Sequence, residues 1–447
     1  MKWAADYAIA VELSRDLINL VLDKFLQFLR SQNKHLYQTR LGFFGPFEAE
    51  LTSVLVPDLE DPPPTGGGVL TDLKVEGDFR FRLFGLFRLK GGILFQLEDV
   101  SIDFATTTAG LPQALVIAST PSLKVTARFP RASWIIRWLL NGIVGPLIAL
   151  GARLALNLIK KLEIDVWEIV DIFAALGLRF APDSPLLTAQ KQQIPHSLLV
   201  ASNFNLTGNQ AGQPSQLASF LPASTNIGSV LNERIAAAGV ELAFSKGWVP
   251  SNYKVKKWRI YINTIKVRFE QDKIVARGQL KAKRGKCWCR VKARITYRVA
   301  LEPKVEITPA GTPQAVFNYD ADVNTQISTS GMLVVIGGIL LAPLFMSTTI
   351  VLSTMINIVL AQFLPFKTKF KRQGLNLNVT VNSINFSGFV PFQLSFPLQL
   401  SGNGSYDLSP FQQFTLPPPT NIPVNVQFTN ESIAVQEEEL RAAVGLS

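Results

Sequence analysis

From Val323 to Phe366 the chain carries no charged residue at all. Its most apolar part, Gly331–Leu364, could as a helix rising about 1.5 Å per residue cross a bilayer whose hydrocarbon is roughly 30 Å thick. A membrane span is therefore the first reading to weigh. A second stretch of the same kind, Trp134–Ile159, closes the first half of the chain and is interrupted only by Arg137 and Arg153. Both stretches place a small residue and a proline near their middle, as Gly145-Pro146-Leu147 and Ala342-Pro343-Leu344. One anchor would not be duplicated in this way; two similar halves would each carry one such helix.

What precedes each helix supports the pairing. Alternating residues across Asp6–Leu13 predict a short strand, and Ser14 is placed to cap a helix whose apolar stripe runs from Leu17 to Leu29. Val75, Gly77, Phe79, Phe81 and Leu83 then alternate with Glu76, Asp78, Arg80 and Arg82, the mark of a half-buried antiparallel strand. Further strands are expected over 92–104, 114–119 and 123–129, with no intervening helices of the kind that parallel crossovers need. The second half repeats the order. A strand over 197–205 and a helix from about Asn226 to Ala243 lead into strands over 256–269, 273–283, 287–301, 305–307 and 315–322. Beyond the second apolar stretch, two alternating runs from Leu375 and from Phe392 are expected to complete the second sheet. The tail from Glu431 is expected to form a short terminal helix or a frayed end.

Composition excludes much chemistry. The chain has 2 histidines and 2 cysteines, and neither His35 nor His196 sits in a catalytic motif. Cys287 and Cys289 flank one tryptophan on a strand, a spacing too strained for a disulfide and too poor in ligands for zinc. No nucleophile elbow, zinc-protease helix or phosphate-binding loop occurs. Asp58, Glu60 and Asp61 beside the Pro/Gly-rich loop read as solvated rather than as a calcium site. No cofactor and no metal is expected, and the chain is not expected to be an enzyme. Asp6 and Glu12 break what would be the apolar core of a secretory leader, so the chain as it stands reads as cytoplasmic, exported by another route or given without its leader, with a peripheral place on a membrane left open.

The charge that is present is concentrated. The formal net charge is +11, and 16 Lys or Arg residues lie between Lys254 and Arg298 against Glu270 and Asp272 alone. In strands such as Lys281-Ala-Lys283 and Arg290-Val-Lys292-Ala-Arg294 the bases share one face. That face reads either as ordinary solvated surface or as a docking surface for an anionic membrane or an acidic protein, with Lys281, Lys283, Arg290, Lys292 and Arg294 at its centre. A nucleic-acid partner is less favoured because no reader motif accompanies the charge.

A strand, a helix, an antiparallel meander and a long apolar helix, run through twice, resemble the tubular lipid-binding (TULIP) superfamily. The opening, Asp6-Tyr-Ala-Ile-Ala-Val-Glu-Leu-Ser-Arg-Asp-Leu-Ile-Asn-Leu-Val-Leu, looks most like bacterial members of that superfamily, such as the accessory proteins of clostridial neurotoxin clusters. The resemblance implies an α+β fold of two tandem modules, taken here as residues 1–190 and 191–447, in an elongated molecule. In each, a highly curved antiparallel sheet would wrap a long apolar helix, with acyl chains held between the two. It further implies non-enzymatic binding or transfer of lipids or fatty-acid-like ligands. The groove would be lined by Leu17, Val21, Phe25, Phe79, Phe81, Leu139, Ile143 and Leu147 in the first module. In the second it would be lined by Ile274, Leu280, Ile336, Leu340, Leu344, Val351 and Met355. Two other readings stand beside it: an interaction scaffold with a filled core that docks through the basic face, and a protein that inserts Gly331–Leu364 into membranes.

Overall fold

The chain is described by a computed structural model over residues 2–33, 35–40, 46–60, 69–83, 87–106, 112–117, 122–128, 164–165, 186–190, 196–204, 212–238, 252–255, 258–284, 291–328, 376–384, 387–390, 393–407, 409, 413–415, 423–425, 427–436 and 438–446. These residues are mostly antiparallel β-sheet, with few helices. The apolar stretches Trp134–Ile159 and Gly331–Leu364 lie outside them.

In chain order the first elements are strand β1 (Ile9–Ser14), helix α1 (Arg15–Ser31), β2 (Leu36–Arg40), β3 (Pro46–Leu55), β4 (Leu59–Glu60), β5 (Val69–Leu83), β6 (Phe87–Thr106), β7 (Pro112–Ile117), β8 (Ser122–Arg128) and β9 (Ile164–Asp165). Strands β10 (Leu186–Gln190), β11 (Ser197–Ser202) and β12 (Ile227–Asn232) follow, then β13 (Asn252–Val255), β14 (Trp258–Glu270), β15 (Lys273–Arg284), β16 (Val291–Ile307) and β17 (Pro313–Ser328). The last are β18 (Asn376–Ile384), β19 (Ser387–Val390), β20 (Gln393–Asp407), β21 (Gln413–Thr415), β22 (Pro423–Asn425), β23 (Phe428–Gln436) and β24 (Glu439–Leu446).

Three large sheets result. The first runs β2-β3-β5-β6-β7-β9, with β4 on β5 and β8 on β6. Another, also of 8 strands, runs β13-β14-β15-β16-β17-β20-β18, with β19 on β20. Between them in sequence, and drawn from both ends of the chain, is a 6-stranded sheet in the order β10-β11-β1-β12-β24-β23. Each eight-stranded sheet is a meander in its longest strands, as their even spacing predicts, while the six-stranded one depends on pairings hundreds of residues apart.

That central sheet overturns two expectations. Residues 227–232 form β12 rather than the start of a helix, and helical residues begin only at 233. Every residue of β12 is buried, so it lacks the alternation by which a one-sided strand is read. The tail from Glu431, expected as a terminal helix or a frayed end, instead supplies most of β23 and all of β24, and β24 pairs with β12 along its length. Its Glu, Leu, Arg and Ala favour helix locally, but pairing and burial in the sheet prevail.

One face of the central sheet is roofed by residues 3–7 and 212–221. Ala4, Ala5, Tyr7, Ala10, Leu199, Ala201, Leu217, Phe220 and Val230 form a single buried cluster with Trp3 packed against it. The roof lies so close that a Cβ on Gly228 would stand 2.8 Å from the Leu221 side chain.

Candidate functional site

The groove-lining expectation concerns the two apolar faces, and the first is organised by α1. Ser14 caps the helix, accepting a hydrogen bond at its Oγ from the Leu17 N–H at 3.2 Å, with Asp16 in the first turn and Arg30 in the last. Leu17, Leu22, Leu26 and Leu29 are buried along one stripe. Asn19 fixes the helix to the chain after β3. Its Nδ2 donates to the Val56 carbonyl at 3.0 Å, and its Oδ1 accepts from the Val56 N–H at 2.7 Å. Arg15 donates to the Pro57 carbonyl at 2.9 Å and Arg30 to the Thr52 carbonyl at 2.8 Å, so both ends are held as well.

Of the residues named for this groove, Leu17 is buried, Val21 is half-buried, and Phe79 is wholly buried on β5 among Val75, Ile93 and Phe95 on the apolar face of the first sheet. Phe81 continues the same alternation, opposite Phe47 and Leu89 in register. Phe25 lies in α1. Leu139, Ile143 and Leu147 lie outside the described residues.

The second sheet presents a longer apolar face. Phe269, Ile274 and Leu301 follow one another across β14, β15 and β16, as do Val267, Ala276 and Val299; further along, Leu280 stands opposite Ile295 and Ala282 opposite Ala293. Strand β17 extends the rows with Tyr319, Ala321 and Val323. All of these side chains are buried, and Tyr319 is desolvated enough that its hydroxyl pKa is pushed up to about 12. Ile274 and Leu280, named from the sequence, thus sit in one continuous apolar surface. Ile336, Leu340, Leu344, Val351 and Met355 lie outside the described residues, and so does the stretch on which a membrane span rests. Among the described residues no helix is long and apolar enough to cross a bilayer.

The opposite face of the second sheet carries the charge. Register aligns Lys254, Arg259, Lys283 and Lys292 across β13 to β16, and Tyr261, Lys281 and Arg294 in a second row. A third row holds Lys266, Arg277, Arg298 and Asp322. Arg259, Lys266, Arg277, Lys281 and Arg294 are exposed. In the third row Arg277 and Arg298 donate to the two oxygens of Glu270 at 2.8 and 3.0 Å, and the row borders a shallow depression of about 740 Å³ shared with Thr264, Gln279, Thr296 and Asn324. Of the expected docking residues, Lys281, Lys283 and Arg294 fall together in the first two rows, with Lys292 aligned in register. Arg290 lies outside the described residues.

A buried polar cluster was not foreseen. Glu12 is fully buried in the central strand of the central sheet. It accepts hydrogen bonds from the hydroxyls of Ser197 and Ser219 and from the N–H groups of Phe220 at 2.8 Å and Leu221 at 3.2 Å. Glu439, also fully buried, accepts from the N–H groups of Trp3 at 2.6 Å and Ala4 at 3.2 Å and from Gln436 at 3.0 Å. Burial pushes its carboxyl above the usual range despite these donors. Both carboxylates bind backbone from the roofing segments, and this assigns them to the architecture rather than to a reaction. The only sequence signal was an acidic residue amid the apolar alternation of β1.

Asp58 makes a close contact with His196 Nδ1 and accepts the Leu59 N–H at 2.8 Å. Desolvation alone would raise its pKa, but His196, the Leu59 N–H and nearby Arg15 together hold it below the usual value. Among the described residues no set of three or more His, Cys, Asp or Glu side chains is placed to hold a metal ion.

No protein-family model matches the chain, and no curated protein does. Among solved structures it is similar to P47 from Clostridium botulinum A2, at 10% identity and a TM-score of 0.32, covering 99% of this chain and 97% of that one. It is similar also to P47 of Clostridium botulinum E1, at 8% identity and 0.30, covering 99% and 100%. A lipopolysaccharide binding protein matches at 13% identity and 0.23, covering 88% and 98%. At such scores these are likenesses of outline, and nothing about the activity of this chain follows from them.

Proposed function

We propose that the chain is a non-enzymatic binder or carrier of lipids or similar apolar ligands, held between the apolar faces of its eight-stranded sheets and the two long apolar stretches of the sequence. The observation that carries this reading is the continuous apolar face of the second sheet, from Phe269 and Ile274 to Leu280 and Val323. A single sheet with one such face must be covered by something equally apolar. The uncharged segment that follows β17 in the sequence is apolar enough to serve as that cover, and an acyl chain between the two would gain about 0.8 kcal/mol per methylene removed from water. Binding of this kind needs no catalytic group, in keeping with a sequence that offers none.

The test is mass spectrometry of an organic extract of the purified full chain, together with uptake of a fluorescent fatty acid. Co-purifying lipid and saturable uptake are expected. A lipid-free extract with no uptake would leave a filled core as the better account.

A further inference from the structure

We propose that the outer face of the second sheet, at the end formed by Arg259, Lys281, Lys283 and Arg294, is a docking surface for an anionic lipid bilayer. The first observation is the register. Like charges directly opposite one another on neighbouring strands destabilise a sheet, yet Lys254, Arg259, Lys283 and Lys292 stand in one row across four strands, with Lys281 opposite Arg294 in the next. Neither row contains an aspartate or glutamate. Elsewhere on the same face the repulsion is relieved: Glu270 spans Arg277 and Arg298, and Lys273 pairs with Glu302 at 3.1 Å. The first sheet is a useful contrast. On its polar face Arg80 stands opposite Lys90, but Glu48 stands on the other side of Arg80. Arg82 also stands opposite Arg88 there, but among the described residues the longest run of opposed bases, four across four strands, is at one end of the second sheet.

Shape and the single aromatic ring of these rows select the partner. Strands about 4.8 Å apart with residues of one face about 6.7 Å apart along each strand spread the bases over two dimensions. That array matches a surface carrying many mobile phosphates better than a single acidic side chain or one polynucleotide strand. The depression on this face lies among the third-row residues, and the first two rows do not line it, so no enclosed anion site is implied. Tyr261 has the Lys283 ammonium 4.9 Å from its ring centroid, which occupies a face that a base would need for stacking. A tyrosine amid lysines is instead suited to the interface between headgroups and water.

The test is co-sedimentation of the full chain with phosphatidylcholine vesicles and with vesicles of phosphatidylcholine mixed with phosphatidylserine. Binding is expected only to the anionic vesicles and is expected to weaken with salt. Each neutralised cation should weaken it about fivefold, so K281Q with R294Q should cost roughly 30-fold. The same pair should melt no lower than the parent, since it relieves like-charge opposition, which separates lost docking from lost folding. R80Q with K90Q should bind as the parent does. Equal binding to neutral vesicles, or equal loss from the control pair, would overturn the proposal. So would retention by polyglutamate or a single-stranded oligonucleotide without vesicle binding, which would give the face to an acidic protein or to nucleic acid. The proposal stands apart from lipid carriage, because the lipid extracted from K281Q/R294Q is expected to be unchanged.

Discussion

The most consequential single residues are two carboxylates buried from solvent. A buried acid without a partner would be intolerable, and Glu12 and Glu439 avoid that cost by accepting backbone N–H groups from the segments that roof the central sheet. Glu439 titrates above the ordinary carboxylate value because of its burial. An acid whose folded pKa is raised binds its proton more tightly folded than unfolded, so its contribution to stability is present below the unfolded value and is lost as pH rises through the folded one. Urea denaturation of the parent and of Glu439→Gln across the range from about pH 4 to 7 checks this: the parent is expected to lose stability relative to the variant as pH rises. A difference that stays constant with pH would show that Glu439 acts through its hydrogen bonds alone. Glu233, whose carboxyl is likewise raised by burial while it accepts the Phe269 N–H at 2.8 Å, contributes with the same sign and remains in both proteins. Asp58, held low beside His196, contributes in the opposite sense, losing stability as the solution is acidified through its folded value.

At the scale of elements, α1 shows how much of a helix was legible and how much was not. Its cap, its acidic first turn, its basic last turn and its leucine stripe all follow from residues 14–30 and local rules. Ser14→Ala is expected to cost about 1 kcal/mol and Ser14→Gly only a few tenths, read as a shift in the midpoint of chemical denaturation at unchanged slope. Equal losses for the two would assign the serine's value to packing in the sheet instead. What the sequence did not disclose is that Asn19, on the polar side of the stripe, would clasp the backbone of Val56. Asparagine on a helix is ordinarily read as solvated, and its partner here is a main-chain group 37 residues away. The strands divide in the same manner. β5 and β15 to β17 expose one face and so alternate, whereas β12 is buried on both and gives no period to read. The basic rows were legible as one face of each strand, since alternation alone decides that. Their alignment into rows required the register, which depends on the turns joining the strands.

At the scale of the whole molecule, the central sheet ties the two ends of the chain together. β1 lies between β11 and β12, and β24 lies beyond β12, while Lys2 bridges Asp6 and Glu438 at 2.7 Å each. Two tight turns then join this sheet to the second one: the Asp272 N–H donates to the Val435 carbonyl at 2.9 Å and the Glu438 N–H to the Phe269 carbonyl at 3.3 Å. Both Asp272 and Glu438 have positive φ, 58° and 67°, the left-handed conformation that tight hairpin turns use. The expected consequence is that amides of β1 and β12, interior to the sheet and buried, are the slowest to exchange, and those of the edge strands β10 and β13 are among the fastest. Hydrogen exchange read by mass spectrometry on peptides covering 9–14 and 227–232 tests this. Early exchange there would mean that the central sheet opens independently of the rest.

The sequence by itself determined the class of the protein: antiparallel strands with one apolar face, a capped amphipathic helix, two long apolar stretches, a basic patch on one face and a poverty of catalytic groups. These are properties of local periodicity and composition, which neighbouring residues impose on one another. Only the tertiary structure decided that the acidic tail supplies strands of the central sheet, that Glu12 and Glu439 are buried anchors, and that the bases align in rows. The physical reason is that each depends on pairings which local periodicity does not specify: contacts about two hundred residues or more apart for the tail and the two carboxylates, and the register set from one strand to the next for the bases.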